Sequence, residues 1–237
     1  MARLGLPEEK VQVVPLAPSL ALLQEPTTAE IKLTIREYRL PERYVLYPAQ
    51  MWPHKNHIVL LEACSLLEQK HGLRVPLVFV GRKTEFTANL VSKVRALDLE
   101  NLVTLTGYVS ANQLRCLYSA ATCVAIPSLF EAGSFPMWDA FLIGVPVAAS
   151  TVTSLPRQAG GAAVLFDPTS PQQVADAIAA VWTSKALREE LAARGREVVR
   201  VFTWERTARH FRAHYRRIMD HPMTEVDRAL LRAAPLL

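Results

Sequence analysis

Six short apolar runs, separated by helix-like segments, constrain this chain more than any other feature. They are Tyr44–Tyr47, Pro76–Val80, Leu102–Leu105, Cys123–Ile126, Val145–Ala148 and Ala163–Phe166. None shows the polar–apolar alternation of a half-solvated sheet, so each predicts a short strand covered on both faces. Lys55–His71 predicts a helix with Ile58, Leu61, Leu66 and Leu67 inward, and Phe86–Leu97 predicts another. A third runs from Ser110 to about Ala120, where Ser110 and Gln113 make a capping-box pattern. Ser170-Pro171 opens a helix reaching Thr183, and two more follow at 184–201 and 203–219. Strands alternating with helices at this spacing predict parallel βαβ units with right-handed crossovers. The fold class is therefore α/β, a Rossmann-like parallel sheet flanked by helices.

The regular pattern covers residues 43–219, the expected ligand-binding domain. Residues 1–42 are expected to be the remnant of a preceding domain and a linker. They hold a strand candidate at Val11–Val14, preceded by Leu4–Lys10 as the tail of a helix and a turn. An Ile31/Ile35/Tyr38 stripe closed by Pro41 follows. Residues 220–237, with Pro222 and Pro235, are expected to form a weakly ordered tail.

The net charge is +5. Arg206, Arg209, Arg212, Arg216 and Arg217 fall on helical spacings, as on a solvated face, and no basic module interleaved with aromatics accompanies them. Nucleic acid is therefore not an expected partner, and membrane contact is expected to be peripheral at most. Cys64, Cys116 and Cys123 lie inside apolar segments without CxxC or Cys/His metal spacing, which predicts buried free thiols and no metal site. Met1–Pro7 has no apolar signal core and no run reaches membrane-spanning length, so a cytoplasmic location is the expectation.

Ligands of parallel sheets bind at the C-terminal strand ends, which selects the loops 48–55, 81–85, 107–110 and 127–136. In the first, Lys55 at a helix start can reach a phosphate that also feels the helix N-terminus. His54 and His57 lack further ligands for a metal. The second, Gly81-Arg82-Lys83-Thr84, offers close backbone approach and two cations. The third, Gly107-Tyr108-Val109-Ser110, combines a glycine and an aromatic with a helix cap and could hold a nucleobase edge by backbone bonds. The fourth is the most informative. Glu131 and Asp139 lie eight positions apart, around Gly133, Ser134 and Pro136. A glycosidase pair needs carboxylates on both sides of a cleft, whereas these come from one turn and helix, so binding of hydroxyls is preferred. No GxGxxG, Walker, Gly-x-Ser-x-Gly or Asp-x-Asp pattern is present.

These residues carry a resemblance. Gln50-x4-Lys55-Asn56, Gly107-Tyr108-Val109-Ser110, Glu131-x7-Asp139 followed by Gly144-Val-Pro-Val147, Ser154-Leu-Pro156 and Gly160–Pro168 occur in one order. Together they resemble the C-terminal, donor-binding half of a GT-B fold glycosyltransferase of the retaining group 1 family, also called family 4. The phrases around Lys55 and Glu131 look most like bacterial mannosyltransferase-type members.

The resemblance implies binding of a nucleotide-sugar, GDP-mannose or similar, for retaining transfer to an acceptor glycan or lipid, with no metal or other cofactor. It implies that Gln50 and Lys55 hold the diphosphate, with Lys55 neutralising the leaving phosphate. Glu131 would grip sugar hydroxyls, and the backbone N–H groups of Gly133, Ser134 and Phe135 would reach sugar and phosphate. Asp139 would hold the ribose diol, and Val109 would meet the base through its backbone. Lys55 and Glu131 are the implied catalytic residues. Three positions depart from the family pattern: Gln50 in place of Arg, Asp139 in place of Glu, and Arg157 where an acidic residue is usual. The N-terminal acceptor domain of the GT-B fold is essentially missing from this stretch, so a fragment, a separate partner polypeptide or a loss of catalysis are the alternatives. A non-catalytic binding module and a nucleotide-sugar epimerase are the competing functions.

Overall fold

The computed structural model describes Gly5, Pro7 and residues 10–232. In chain order the elements are α1 (Thr28–Glu37), β1 (Val45–Pro48), α2 (His57–His71), β2 (Leu77–Val80), α3 (Thr87–Ala96), β3 (Val103–Gly107), α4 (Ala111–Ala120), β4 (Cys123–Ile126), α5 (Phe135–Ile143), β5 (Val147–Ser150), α6 (Leu155–Ala159), β6 (Ala163–Phe166), α7 (Pro171–Thr183), α8 (Lys185–Val199), α9 (Trp204–Ile218) and α10 (Glu225–Arg232). The chain divides into two compact units: 19–200, and 1–18 together with 201–237. This differs from the division expected from sequence, at 42/43 and 219/220. The helical pattern of α9 has the same period whichever unit it belongs to, so periodicity could not place the boundary.

All six strands of the larger unit pair in parallel, in the order β3-β2-β1-β4-β5-β6. The chain builds outward from β1 through β2 to β3, then returns to lay β4 on the other side of β1. The crevice between the loops after β1 and β4 is the topological switch point where such sheets bind ligands. The inner strands β2, β4 and β5 are buried along their whole length, and the edge strands β3 and β6 are only partly covered. That is why the inner runs read as uninterrupted apolar segments.

Local chemistry sets the helix starts. Thr27 with Glu30, and Ser110 with Gln113, form capping boxes for α1 and α4, while Ser170 and Ser184 cap α7 and α8. Gly144 ends α5 at φ +86°, a left-handed conformation that favours glycine, and a Cβ there would require the Arg196 guanidinium to shift. Helix α2 buries a broader surface than one stripe: His57, Val59, Leu60, Leu61, Ala63, Cys64 and Leu67 are inside, whereas Ile58 and Leu66 are half-buried. It packs against α7 and α3, and its His57 ring lies against Tyr47 of β1 and Phe79 of β2, so more than one face is covered. The three cysteines are free and buried.

In the smaller unit, residues 11–18 form no strand. The Val11–Val14 run instead leads to Pro15 and Pro18, whose carbonyls accept hydrogen bonds from Thr207 Oγ1 (2.7 Å) and Trp204 Nε1 (3.1 Å) of α9. Proline supplies no N–H for a ladder. The helix tail expected at Leu4–Lys10 lies largely outside the described residues. Much of the expected weak tail is ordered, because Thr224 and Asp227 start α10. Asp227 is fully buried and binds Arg212 (3.0 Å) and Arg216 (2.7 Å) of α9. Hydrogen bonds from the Thr224 backbone and from Arg216 hold the Asp227 carboxyl well below the usual carboxylate range. Pro235 lies outside the described residues.

Among the described residues, no helix is long and apolar enough to cross a membrane, and no group of three or more His, Cys, Asp or Glu is placed to hold a metal ion.

Candidate functional site

The structure joins Lys55 and Glu131 at the switch point. After β1, Pro53–Lys55 form a single 3-10 turn, and Asn56 adopts a left-handed conformation (φ 56°) before α2. Asn56 stitches the crevice together, its Nδ2 donating to the carbonyls of Pro127 (3.1 Å) and Pro168 (2.9 Å). Leu129 N–H donates to the His54 carbonyl at 2.8 Å, tying the loop after β4 to the turn that carries Lys55. In this frame Lys55 Nζ lies 2.5 Å from Glu131 Oε1, with the two side chains 21% and 9% exposed.

A buried hydroxyl pair supports these charges from below. Ser128 Oγ donates to Glu131 Oε1 at 2.8 Å and lies 2.9 Å from Tyr47 Oη, which in turn lies 2.9 Å from the Lys55 carbonyl. One phenol proton and one hydroxyl proton thus serve three contacts. Burial raises the Tyr47 pKa, so the phenol remains a donor. Beneath it, His57 is fully buried, with ring centroids 4.6 Å from Tyr47 and 5.0 Å from Phe79. Burial lowers the His57 pKa to about 4, with the Ala49 backbone opposing and the Lys55 charge assisting. His57 is therefore a neutral packing residue.

The backbone around Glu131 is held from the loop after β5. Glu131 N–H donates to Thr153 Oγ1 (3.2 Å), and its carbonyl accepts from Thr153 Oγ1 (2.6 Å) and Ser154 Oγ (3.0 Å). Gln158 is fully buried: its Oε1 accepts from Ser134 N–H at 2.9 Å and its Nε2 donates to the Ala132 carbonyl at 3.3 Å. Glu131 Oε2, by contrast, accepts no hydrogen bond among the described residues, leaving one carboxylate oxygen for a ligand hydroxyl.

Two helices start at this crevice without side-chain caps, α2 and α5. The first N–H groups of a helix lack internal partners and carry the positive end of its dipole. At α5, Ser134 N–H is taken by Gln158, Pro136 has no N–H, and Met137 and Trp138 N–H both donate to the Ser134 carbonyl. Among the described residues, the N–H groups of Phe135 and Gly133 have no hydrogen-bond partner. Gln158 thus engages the Ser134 N–H that was expected to reach a ligand.

The remaining expected residues are placed as follows. Gln50 is exposed beside Trp52, its Oε1 accepting from Trp52 Nε1 at 2.9 Å. Val109 is buried by its side chain, and its N–H and C=O make no hydrogen bond among the described residues. Asp139 is not brought to the Lys55–Glu131 pair by any contact. It is 2% exposed, and its two oxygens accept from Ser19 Oγ (2.5 Å) and Leu20 N–H (2.9 Å). Arg115 Nη1 donates to the Leu20 carbonyl at 2.7 Å, so one peptide is gripped at both ends. Burial pushes the Asp139 carboxyl up, and the bonds from Ser19 and Leu20 pull it back. Residues 19–20 thus engage both oxygens of the carboxylate expected to meet a ribose diol. Arg157 is exposed, and its neighbour Gln158 makes the contacts in this segment.

Sequence reasoning missed Tyr47, Ser128, Thr153 and Gln158 as supporting groups. Ser128, the first hydroxyl after an apolar strand, and Gln158, the amide in Leu155-Pro-Arg-Gln-Ala159, were the available signals.

Comparison with known proteins matches this geometry to a family. A family model described as "Glycosyl transferases group 1" matches residues 32–198. The chain is 33% identical over 178 residues to O-antigen chain mannosyltransferase B of Escherichia coli, covering 75% of this chain and 47% of that protein. It is 32% identical over 209 residues to D-inositol 3-phosphate glycosyltransferase of Nocardioides sp., covering 82% and 45%. Among solved structures, sucrose-phosphate synthase from Thermosynechococcus elongatus superposes with a TM-score of 0.77 at 24% identity, over 88% of this chain and 53% of that one. The C-terminal domain of a glycosyl transferase group 1 family protein (LpcC) from Francisella tularensis gives 0.61 at 21% identity, over 74% and 93%. At those identities the structures establish the fold. The chain spans about half the length of the two sequence relatives. With a parallel sheet like that of a GT-B C-terminal domain and a family match from residue 32 to 198, the chain belongs to the group 1 glycosyl transferases.

Proposed function

We propose that this chain binds the donor of a retaining glycosyl transfer, a nucleotide-sugar such as GDP-mannose, and passes the sugar to an acceptor glycan or lipid held by an N-terminal domain. The observation that carries this reading is the Lys55–Glu131 ion pair, set at the switch-point crevice between two uncapped helix N-termini. A nucleoside diphosphate placed there meets a cation and two positive helix ends, and Glu131 Oε2 accepts from a sugar hydroxyl. As the bond between the sugar and the phosphate lengthens, negative charge grows on the departing oxygen. Lys55 and the Phe135 N–H at the start of α5 stabilise that charge more in the transition state than in the ground state, which is the condition for rate enhancement. Gln50 donates through its amide without adding charge. The mannosyl assignment rests on similarity to relatives such as O-antigen chain mannosyltransferase B of E. coli.

Transfer from GDP-mannose, assayed with the chain joined to the N-terminal half of a relative, tests the reading. The expected product keeps the donor's anomeric configuration by NMR, and Lys55→Ala lowers kcat by at least a hundredfold. An inverted product refutes the retaining assignment, and undiminished turnover in Lys55→Ala refutes the site.

A further inference from the structure

The end of the sheet opposite the Lys55–Glu131 crevice carries a second concentration of charge. A crevice of about 530 Å³ opens there, lined by Arg43 before β1, Thr122 before β4, Pro146 before β5, and Arg188, Ala192 and Arg196 of α8. Spacings of four put Arg188, Ala192 and Arg196 on one face of α8, with the small Ala192 between the two arginines. Helix capping accounts for part of this set. Arg188 Nη1 donates to the carbonyls of Val181 and Trp182 in the last turn of α7, both at 2.9 Å, and Arg43 Nη2 donates to the same Trp182 carbonyl at 2.5 Å. One cation suffices for a helix end, whereas here two guanidiniums meet at one oxygen and their charges lie side by side. Arg196 caps nothing. Its guanidinium rests over Gly144, where a Cβ would meet it at 2.0 Å, and it makes no hydrogen bond or ion pair among the described residues.

Carboxylates do not neutralise the three arginines. None of them has an ion-pair partner among the described residues, whereas Arg194, on the opposite face of α8, lies 2.6 Å from Glu190. Glu189 borders the crevice but lies 3.5 Å from Lys185 instead. Three guanidiniums without a counter-charge suit a multiply charged anion, and their planar forks bind phosphate oxygens in pairs. Arg188 and Arg196 leave α8 about 12 Å apart along its axis, so two linked phosphates fit the crevice better than one. Among the described residues, no large exposed hydrophobic side chain lines it, which favours a dissolved ligand over a lipid headgroup. We infer that this crevice is a second anion site, for a soluble diphosphate-bearing ligand, held by Arg43, Arg188 and Arg196. It lies at the N-terminal strand ends, about 13 Å of strand from the Lys55 crevice, and does not depend on what that crevice binds.

The test is calorimetric titration with inorganic pyrophosphate and with orthophosphate, in EDTA, on the Lys55→Ala chain, whose donor crevice lacks its cation. Saturable binding of pyrophosphate is expected, tighter than that of orthophosphate. Adding Arg196→Ala should weaken it about 10- to 100-fold, and Arg196→Glu should weaken it further. Urea unfolding should be unchanged by either, because truncating Arg196 breaks no hydrogen bond or ion pair among the described residues. Arg194→Ala should leave the affinity as it was. No pyrophosphate binding in Lys55→Ala, or binding that Arg196→Ala leaves intact, would overturn the site. Equal weakening by Arg194→Ala and Arg196→Ala would show diffuse attraction to a basic helix and overturn it as well. Retention on phosphatidic acid vesicles that Arg196→Ala abolishes would overturn the dissolved-ligand assignment. None of these readouts uses GDP, whose binding decides the donor reading separately.

Discussion

Replacing His57 is expected to remove an acid-sensitive component of stability from the floor of the site. The imidazole is fully buried between Tyr47 and Phe79, and neither ring nitrogen has a hydrogen-bond partner of good geometry. Burial lowers its pKa from 6.5 to about 4. The folded state therefore holds His57 neutral in a range where the unfolded chain binds a proton. Between pH 6.5 and about 4 the unfolded state carries more protons, so stability rises with pH across that window and falls as the solution is acidified. The depression of about 2.5 units corresponds to roughly 3 kcal/mol, lost progressively from pH 6.5 downward and fully lost near pH 4. Burial lowers the pKa of His210 and His214 in the smaller unit as well, giving the same sign. Raised Asp139 gives the opposite sign, favouring the folded state while it is protonated. The comparison that isolates His57 is urea unfolding of wild type and His57→Phe at pH 7.5, 5.5 and 4.5. Wild type is expected to lose on the order of 2–3 kcal/mol more than His57→Phe between the first and last pH. The absolute stability of the variant also reflects repacking, so only the pH slopes are compared. Equal slopes, or a His57 resonance titrating near 6.5 in the folded protein, would refute the reasoning.

Three further outcomes follow from contacts around the site. Lys55→Ala leaves Glu131 nine-tenths buried with Ser128 as its one side-chain donor; a double-mutant cycle with Glu131→Gln, read by chemical denaturation, should give a coupling of about 1–3 kcal/mol that shrinks with added salt only weakly. Zero coupling would mean the pair is not formed in solution. Gln158→Leu removes the acceptor of Ser134 N–H and the donor to Ala132, with an expected cost of about 1–3 kcal/mol and weakened nucleotide binding, measured by unfolding and calorimetry. Asp139→Ala frees the Leu20 N–H and the Ser19 hydroxyl, with an expected loss of about 1–3 kcal/mol and faster amide exchange at Leu20; unchanged exchange there would contradict the clamp.

The sheet was legible because its runs are short, apolar and separated by capped helices. Cys123–Ile126 and Ala163–Phe166 are strands at the expected residues, and the helices beginning at Ser110 and Ser170 start where their caps put them. That the loops of Lys55 and Glu131 share the C-terminal end of the sheet was legible too; their pairing rests on the strand order, which lays β4 beside β1. What sequence could not show is the direction in which a side chain is spent. Asp139 has the spacing of a ligand-facing carboxylate, yet a helix turn carries it to Ser19 and Leu20, residues more than a hundred positions away in the chain. Ser134 N–H has the position of a free helix-start donor, yet Gln158 reaches it from another loop. Val11–Val14 has strand composition, yet among the described residues it forms no strand. In each case a long-range partner decides the outcome, and local pattern carries no information about it.

The central claim is that the crevice holding Lys55 and Glu131 binds a nucleoside diphosphate through protein cations and helix ends. Isothermal titration of the chain with GDP, UDP and ADP, in magnesium and in EDTA, tests it most directly. The account predicts saturable binding of at least one of the three, the same in EDTA as in magnesium, and at least tenfold weaker in Lys55→Ala. No heat of binding at millimolar nucleotide, or binding that Lys55→Ala leaves unchanged, would contradict it.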